Sequence, residues 1–144
     1  MTSGEPGGAL TEQIIGLAIK VHRTVGPGLL ESICNRCLCW EFDRAGLEFR
    51  REVPLSLIYG NERLPAGYLA DIIVEHTVLL ELKTVERLLP IHEAQPLTYL
   101  RLSGCRIALL MNFNSVLLKD GLRSARHNRG EGAYYAGQGE ESGS

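Results

Sequence analysis

The chain has 144 residues, 44% of them hydrophobic, with a formal net charge of −2 and a pI near 6.1. This length and apolar content suit one globular domain with its own core. No stretch approaches the roughly 20 apolar residues of a membrane span, and the N-terminal residues lack the basic region of a signal peptide. A cytoplasmic location is therefore expected. The weak net charge excludes a global basic footprint, so a polyanion would have to meet a local arginine patch.

Two helices are predicted after a Gly-rich tail over residues 1–9, which is expected to be disordered. Thr11 is the predicted N-cap of the first helix, and Gly26-Pro-Gly28 is its stop signal. The second helix is predicted from about Leu29 to Ala45, with an apolar face listed as follows: Leu30, Ile33, Cys34, Cys37 and Leu38.

Three cysteines of the second helix form a CxxCxC cluster, Cys34, Cys37 and Cys39. A thiol-bound metal is one interpretation. On a helix, however, Cys39 should point away from the other two, and no second Cys/His pair lies at zinc-finger spacing. Small, reduced, buried hydrophobic side chains are therefore the favoured interpretation.

Beyond Gly46 the apolar period changes from helical to strand-like. Alternation from Val53 to Tyr59 predicts a first strand, and two apolar stretches, Gly67–Val74 and Thr77–Thr84, predict an antiparallel hairpin with its turn at His76. These three strands would form a meander.

A helix and one more strand complete the predicted core. The helix covers Pro90 to about Ser103, and its regular part is expected to begin near Glu93 so that Pro96 falls within the first turn. The continuous apolar run Ile107–Phe113 predicts a buried strand parallel to a neighbour. The predicted order is αα-βββ-α-β, an α/β fold with a mixed four-stranded sheet flanked by helices, in one domain over residues 10–125 with a disordered tail over residues 126–144.

Two carboxylates and a lysine interrupt the apolar hairpin: Asp71, Glu81 and Lys83. A turn at His76 places Asp71 opposite Glu81, at a Cβ separation of roughly 5 Å, where two negative charges repel unless a cation lies between them. A hard divalent ion such as Mg²⁺ takes oxygen ligands of this kind. The alternative is an ion pair between Glu81 and Lys83 on a solvated sheet face, which is the better explanation of an isolated match because such spacing is common by chance.

Several spaced motifs in this order resemble one family. They are Val21–Glu31, Ala70–Val74, Glu81-Leu-Lys83, His92–Leu100, Leu109–Phe113 and Leu118–Arg123. The chain resembles the small bacterial GxxExxY proteins, which are assigned to the PD-(D/E)XK nuclease superfamily, over roughly residues 11–125. It departs from the family in having Cys34 at the position of the tyrosine that gives the family its name, and in having Pro96 directly after Gln95.

The resemblance implies a role for each matching residue. Asp71, Glu81 and Glu31 would bind Mg²⁺ or Mn²⁺, Lys83 would be the catalytic lysine, and Gln95 would be an active-site residue. Substrate-positioning residues would be Gln95, Tyr99 and His92.

Structural roles are the alternative for several of these side chains. Glu31 could serve the dipole of its helix, Gln95 could be an ordinary helix-start residue, and Tyr99 could belong to the core. His22 and His92 are better explained as hydrogen-bonded structural residues, and Asn112 could anchor a turn.

The sequence thus leaves three hypotheses. The favoured one is a metal-dependent nuclease that acts on nucleic acid, with DNA preferred to RNA, without a membrane partner. A homodimer would suit it, because two-fold symmetry matches duplex DNA. The second is a non-catalytic nucleic-acid-binding or protein-binding module with a nuclease fold, and the third is the thiol-metal protein.

Overall fold

The computed structural model describes residues 8–128 and 132–135. These residues form three helices and a mixed six-stranded sheet whose strands lie in chain order. The helices are α1 (Gly8–Val25), α2 (Glu31–Arg44) and α3 (Pro90–Ser103), and a 3₁₀ turn covers Leu118–Gly121. The strands are β1 (Phe49–Tyr59), β2 (Glu62–Val74), β3 (Val78–Lys83), β4 (Ile107–Asn112), β5 (Leu122–Asn128) and β6 (Gly132–Tyr135).

Both faces of the sheet are covered, and the two cores alternate along the central strands. Leu80 and Leu109 pack with α1 and α2, whereas Leu79 and Ala108 pack with α3. Adjacent residues of a strand point to opposite faces, so a strand buried on both sides is apolar throughout. This explains the uninterrupted apolar run of β4, in which every residue is buried.

Three features of the predicted helices are wrong. The first helix begins at Gly8, so Thr11 lies inside it, where its buried hydroxyl has no hydrogen-bond partner among the described residues. The second begins at Glu31 rather than Leu29, which leaves Leu30 outside the helix and 71% exposed. Ile33 is also exposed, so the buried face of α2 is rotated relative to the predicted one.

The cysteines of α2 serve mainly as core residues. Cys34 and Cys39 are buried and Cys37 is half-buried, all as free thiols, which agrees with the prediction of small hydrophobic side chains. Cys39 nevertheless packs in the same core as Cys34. Burial raises the pKa of both Cys34 and Cys39 to about 11, which keeps them as thiols.

The proline in the third helix has a different position from the one predicted. α3 is regular from Pro90, so Pro96 lies in the helix interior, where it is buried. An interior proline removes one intrahelical hydrogen bond and crowds the carbonyl of the preceding turn. The helix nevertheless continues to Ser103 and ends at Gly104, whose φ is +77°.

The hairpin and the parallel strand are confirmed. Val74 pairs with Val78 across the turn, and Glu75 and His76 in the turn have positive φ. β4 runs parallel to β3 after the crossover through α3, as expected for strands connected by a helix.

The sheet has more strands than the four predicted. β5 pairs antiparallel with β4, and β6 pairs with β5, so residues 126–128 and 132–135 are structured and the boundary at residue 125 is too early. Tyr135 of β6 is buried and donates its hydroxyl hydrogen to the Glu93 carbonyl at 2.6 Å. Most of the predicted N-terminal tail and the remainder of the predicted C-terminal tail lie outside the described residues. No helix among the described residues is long and apolar enough to cross a membrane.

Candidate active site

The two strands of the hairpin separate at the predicted acid pair. Their ladder ends at the pair formed by Ile72 and Leu80, one position before Asp71 and Glu81. Beyond it each carboxylate bridges to the opposite backbone: the Asp71 N–H donates to Glu81 Oε1 at 3.0 Å, and the Leu82 N–H donates to Asp71 Oδ2 at 2.7 Å. The two carboxylates therefore take the place of the next pair of hydrogen bonds between the strands.

An irregularity in β1 lies opposite the same position. Glu52 has a φ of +49°, and it is left unpaired between the pairs Arg51 with Ile72 and Val53 with Ala70. Positive φ in a residue other than Gly, Asn or Asp is uncommon and costs roughly 1–2 kcal/mol. Such a kink redirects side chains, and residues in sparsely populated backbone regions cluster at active sites.

The kink changes which face the strand presents. Before it, Arg51 pairs with Ile72, which belongs to the α1/α2 core, but beyond it Val53 and Ala70 belong to the α3 core. Arg51 and Glu52 consequently both line the cleft on the α2 side. A regular strand would point these two adjacent side chains to opposite faces.

Burial and mutual repulsion disfavour the ionised forms of the two acids. Glu81 is only 3% exposed, and burial together with the nearby Asp71 charge raises its pKa to about 8. Burial is also the main cause that raises the pKa of Asp71, and the Glu31 charge adds to it. The hydrogen bonds from the backbone and the charge of Lys83 oppose these shifts without cancelling them.

The alternative of a solvated ion pair on the sheet surface is wrong for Glu81, because this side chain is buried. Lys83, half-buried at the end of β3, aligns with Asn112 of β4 in the parallel register. Among the described residues it forms no salt bridge within 4.0 Å. Its ammonium group remains available at the end of the sheet where the acids lie.

An open cleft of about 290 Å³ leads to Asp71 from the α2 side. Its lining is as follows: Glu31, Ser32, Asn35, Arg51, Glu52, Asp71 and Leu82. Glu31 is the first residue of α2, and its Oε2 accepts a hydrogen bond from the Thr84 N–H at 3.4 Å, so it reaches the end of β3. The predicted helical carboxylate therefore faces the same cleft as Asp71.

The predicted site residues of α3 differ in how they interact with the acid pair. Tyr99 is buried, packs against the Tyr68 ring at 5.7 Å between centroids, and has a pKa raised by burial and by the charges of Glu81 and Asp71. His92 Nδ1 accepts a hydrogen bond from the Leu89 N–H at 2.9 Å, a contact that caps the helix.

Gln95 is half-buried on α3 beside Pro96, on the helix that packs against β3. The structure therefore brings Asp71, Glu81 and Tyr99 together. His92 instead makes a structural hydrogen bond, as the alternative to a substrate-positioning role predicted. No hydrogen bond connects Gln95 with the acids among the described residues.

The segment after Lys83 is held by the buried Asn112. Its Oδ1 accepts from the Val85 N–H at 3.0 Å and its Nδ2 donates to the Val85 carbonyl at 2.8 Å. His22 Nε2 contacts the Ser115 carbonyl at 2.7 Å from α1. The predicted structural roles of Asn112 and His22 are confirmed, and both anchor backbone near the end of β3.

Asn35 and Glu52 line the cleft but were not predicted from the sequence. Asn35 is an 8% exposed polar residue within an apolar helix face, a contrast that the sequence does display. The kink at Glu52, by contrast, has no local signal such as glycine or asparagine.

The donor chemistry of the acid pair fits a hard divalent cation. Asp71 and Glu81 each use one oxygen for a backbone N–H, and the other oxygen has no hydrogen bond within the described ranges. A cation would also relieve the repulsion that raises both pKa values. In residues 8–128 and 132–135 no group of three or more His, Cys, Asp or Glu side chains is arranged to hold a metal ion, so the fit rests on this pair.

A comparison with protein families agrees with this geometry. A family model described as the PD-(D/E)XK nuclease superfamily matches residues 8–125. The chain belongs to this superfamily. The matched range contains Asp71, Glu81 and Lys83. Neither a search of curated proteins nor a search of solved structures returned a match.

The mixed α/β sheet with helices on both faces is consistent with the nuclease fold of the superfamily. Superfamily membership suggests a nuclease-type function and, in general terms, a divalent metal ion and a nucleic-acid substrate.

Proposed function

We propose that this chain is a Mg²⁺- or Mn²⁺-dependent nuclease that hydrolyses phosphodiester bonds, with DNA preferred to RNA, and that it is one of the GxxExxY proteins. The observation that carries the proposal is the reciprocal bridge between Asp71 and Glu81 at the point where β2 and β3 separate. A buried Glu81 beside a half-buried Asp71 at a strand junction is a costly arrangement unless a cation offsets their charge.

In this proposal Asp71 and Glu81 would bind the metal ion, and Glu31, which lines the same cleft as Asp71, would join them when the ion binds. When bound, the ion supplies Lewis acidity to a phosphate oxygen. Lys83 orients or deprotonates the attacking water, or stabilises charge that develops on the phosphate. Its half-buried position beside the acids supports these roles, because burial strengthens electrostatic interactions.

Gln95 and Tyr99 of α3 would position the substrate from the other face of the sheet. Tyr99 has the stronger support, because the charges of Glu81 and Asp71 both raise its pKa. His92 would act indirectly, since its ring caps α3 and so fixes the start of the helix that carries the other two. A cytoplasmic homodimer remains the proposed state.

The test is a cleavage assay with Mg²⁺ or Mn²⁺ on single-stranded, duplex and branched DNA and on RNA. We expect Lys83→Ala and Asp71→Asn to lower the rate by about 100-fold or more, and EDTA to abolish cleavage. Lys119→Ala is the matched control, because Lys119 is an exposed lysine of the 3₁₀ turn. Equal cleavage by the wild type and all three variants would refute the assignment.

A second candidate is a non-catalytic binding module that retains the fold. It is favoured by one observation: the hydrogen bonds of Asp71 and Glu81 already connect the two strands through the backbone, which is also a structural role. Calorimetric titration with Mn²⁺ separates the candidates. Metal binding that Asp71→Asn abolishes supports the nuclease, whereas no metal binding, or binding unaffected by this variant, supports the module.

A further inference from the structure

The cleft contains an arginine to which the superfamily motif assigns no role. Arg51 precedes the kink in β1, and its cross-strand partner Ile72 belongs to the α1/α2 core. Paired residues in a sheet share a face, so Arg51 lies on the α2 side, where it lines the cleft together with Asp71.

A buried amide fixes the orientation of this arginine. The Arg51 Nε–H donates to Asn35 Oδ1 at 2.9 Å, and Asn35 is 8% exposed. The same Asn35 side chain donates from Nδ2 to the Asp71 carbonyl at 3.5 Å. Asn35 therefore connects the guanidinium group with the backbone of the acid that we propose as a metal ligand.

The remaining donors of Arg51 are not used by an ion pair. The salt bridges within 4.0 Å among the described residues join other side chains. Because Nε is bound to Asn35, the two Nη groups at the end of the guanidinium fork remain for a ligand. A fork of this kind matches the oxygens of a phosphate group and keeps its charge at every accessible pH.

The cleft is lined mostly by negative charges, which repel a nucleic-acid strand unless positive groups offset them. Among its described lining residues Arg51 is the one cation, beside Glu31, Glu52 and Asp71. Lys83 is proposed to act at the reacting phosphate, so the strand needs a second positive contact next to it.

We propose that Arg51, oriented by Asn35, binds a backbone phosphate of the substrate strand adjacent to the phosphate that is cleaved. This inference rests on the proposed nuclease function. Phosphate contacts fix the register of a strand without reading its sequence. Arg51 is thus a substrate-binding residue, and Asn35 is a positioning residue that acts through it.

The neighbouring arginine provides a matched control. Arg50 is also exposed and lies on the same strand, but it pairs with Ile73 and lines a groove on the α3 side. Arg50→Ala and Arg51→Ala therefore remove the same charge from opposite faces of the sheet. A general effect of net charge on nucleic-acid binding would affect both variants alike.

The experiment measures binding by fluorescence anisotropy with Ca²⁺, in the Lys83→Ala background to prevent cleavage. The probes are a fluorescein-labelled single-stranded DNA, its duplex and an RNA of the same sequence. We expect Arg51→Ala to raise the Kd about tenfold and Arg50→Ala to change it by less than about twofold. The slope of log K against log salt concentration should also become less steep, by about 0.7 for the single strand and about 0.9 for the duplex. These are the values for one lost phosphate contact.

Two further variants test the role of Asn35. Arg51→Lys keeps the charge but loses the fork, so we expect a Kd between those of the parent and Arg51→Ala. Asn35→Ala should raise the Kd when Arg51 is present and have little further effect on Arg51→Ala, since its action passes through the arginine. Additive effects of the two substitutions would contradict the positioning role.

The outcomes separate this inference from the function on which it rests. If the wild type cleaves nucleic acid and Arg51→Ala binds and cleaves like Arg50→Ala, the inference is refuted and the nuclease assignment stands. If the wild type neither binds nor cleaves any probe, both are refuted. Loss of binding in Arg51→Ala with an unchanged thermal transition supports the inference.

Discussion

Replacement of Glu81 by glutamine tests the electrostatic state of the site without any assumption about the substrate. Glutamine has the same shape and keeps an oxygen that can accept the hydrogen bond from the Asp71 N–H. It removes a charge that is buried beside another carboxylate. We therefore expect Glu81→Gln to stabilise the metal-free protein at about pH 8.

The sign follows from the pKa of Glu81, which burial and the Asp71 charge raise from 4.5 to about 8. Between these values the folded protein keeps a proton that the unfolded chain has released. Stability of the wild type therefore falls as the pH rises from about 4.5 to about 8 and levels off above the folded pKa. Glutamine does not ionise, so the advantage of the variant should grow over this interval and vanish below it.

The magnitude has a ceiling of about 5 kcal/mol, because each pKa unit corresponds to about 1.4 kcal/mol. Asp71 titrates together with Glu81, so the two groups share the effect, and we expect about 2 kcal/mol. For a domain of this size that corresponds to a rise in Tm of about 8 °C.

The assay is thermal unfolding in EDTA at several values between pH 4.5 and pH 8.5, repeated with Mn²⁺. Glu62→Gln is the control, since Glu62 is an exposed carboxylate at the start of β2. Mn²⁺ should stabilise the wild type and the control but not Glu81→Gln. A variant that is less stable than the wild type in EDTA at about pH 8, or equally stabilised at all pH values, would refute the reasoning.

Three other predictions concern the fold around the site. Gly121→Ala should lower the free energy of unfolding by about 1–3 kcal/mol, because a Cβ there would clash with Ser115 Oγ and lie 2.9 Å from the Asn112 carbonyl oxygen. Gly67→Ala, with open space around it, should change little. Glu52→Gly should be more stable than Glu52→Ala by about 1 kcal/mol, because only glycine adopts positive φ without strain. Tyr135→Phe should cost about 1 kcal/mol, since its hydroxyl donates to a carbonyl of α3.

Urea unfolding monitored by circular dichroism measures all three. Equal stability of Gly121→Ala and Gly67→Ala would contradict the close approach near Ser115. Glu52→Ala more stable than Glu52→Gly, the order for a regular strand position, would contradict the kink. An unchanged free energy in Tyr135→Phe would indicate that β6 contributes little to the domain.

Much of the fold could be predicted because its signals are local. The breakers around Gly26 and the turn at His76 fix where elements end, and the apolar run from Ile107 fixes a strand buried on both faces. The hairpin register then put Asp71 and Glu81 at corresponding positions, and the bridging hydrogen bonds confirm that they meet. Predictions that depend on where a helix starts failed, because a residue before the first turn does not follow the helical face, as the exposed Leu30 demonstrates.

The polar residues of β5 and β6 were assigned largely to a tail because their sequence lacks strand periodicity. Residues such as Arg126 and His127 do not alternate with apolar ones, and only pairing with β4 makes this segment a strand. Strand preference depends on the neighbouring strand more than on the residues themselves. The sequence therefore underestimated both the number of strands and the extent of the domain.

The sequence alone determined that two acids and a lysine interrupt an apolar hairpin, since this depends only on spacing and strand period. It could not determine that the ladder stops one residue earlier, so that each carboxylate bonds to the opposite backbone. The kink at Glu52, which directs Arg51 and Glu52 into one cleft, also arises only in the folded chain. A backbone conformation that is unfavourable locally is maintained by packing and pairing across strands, and these exist only in the tertiary structure.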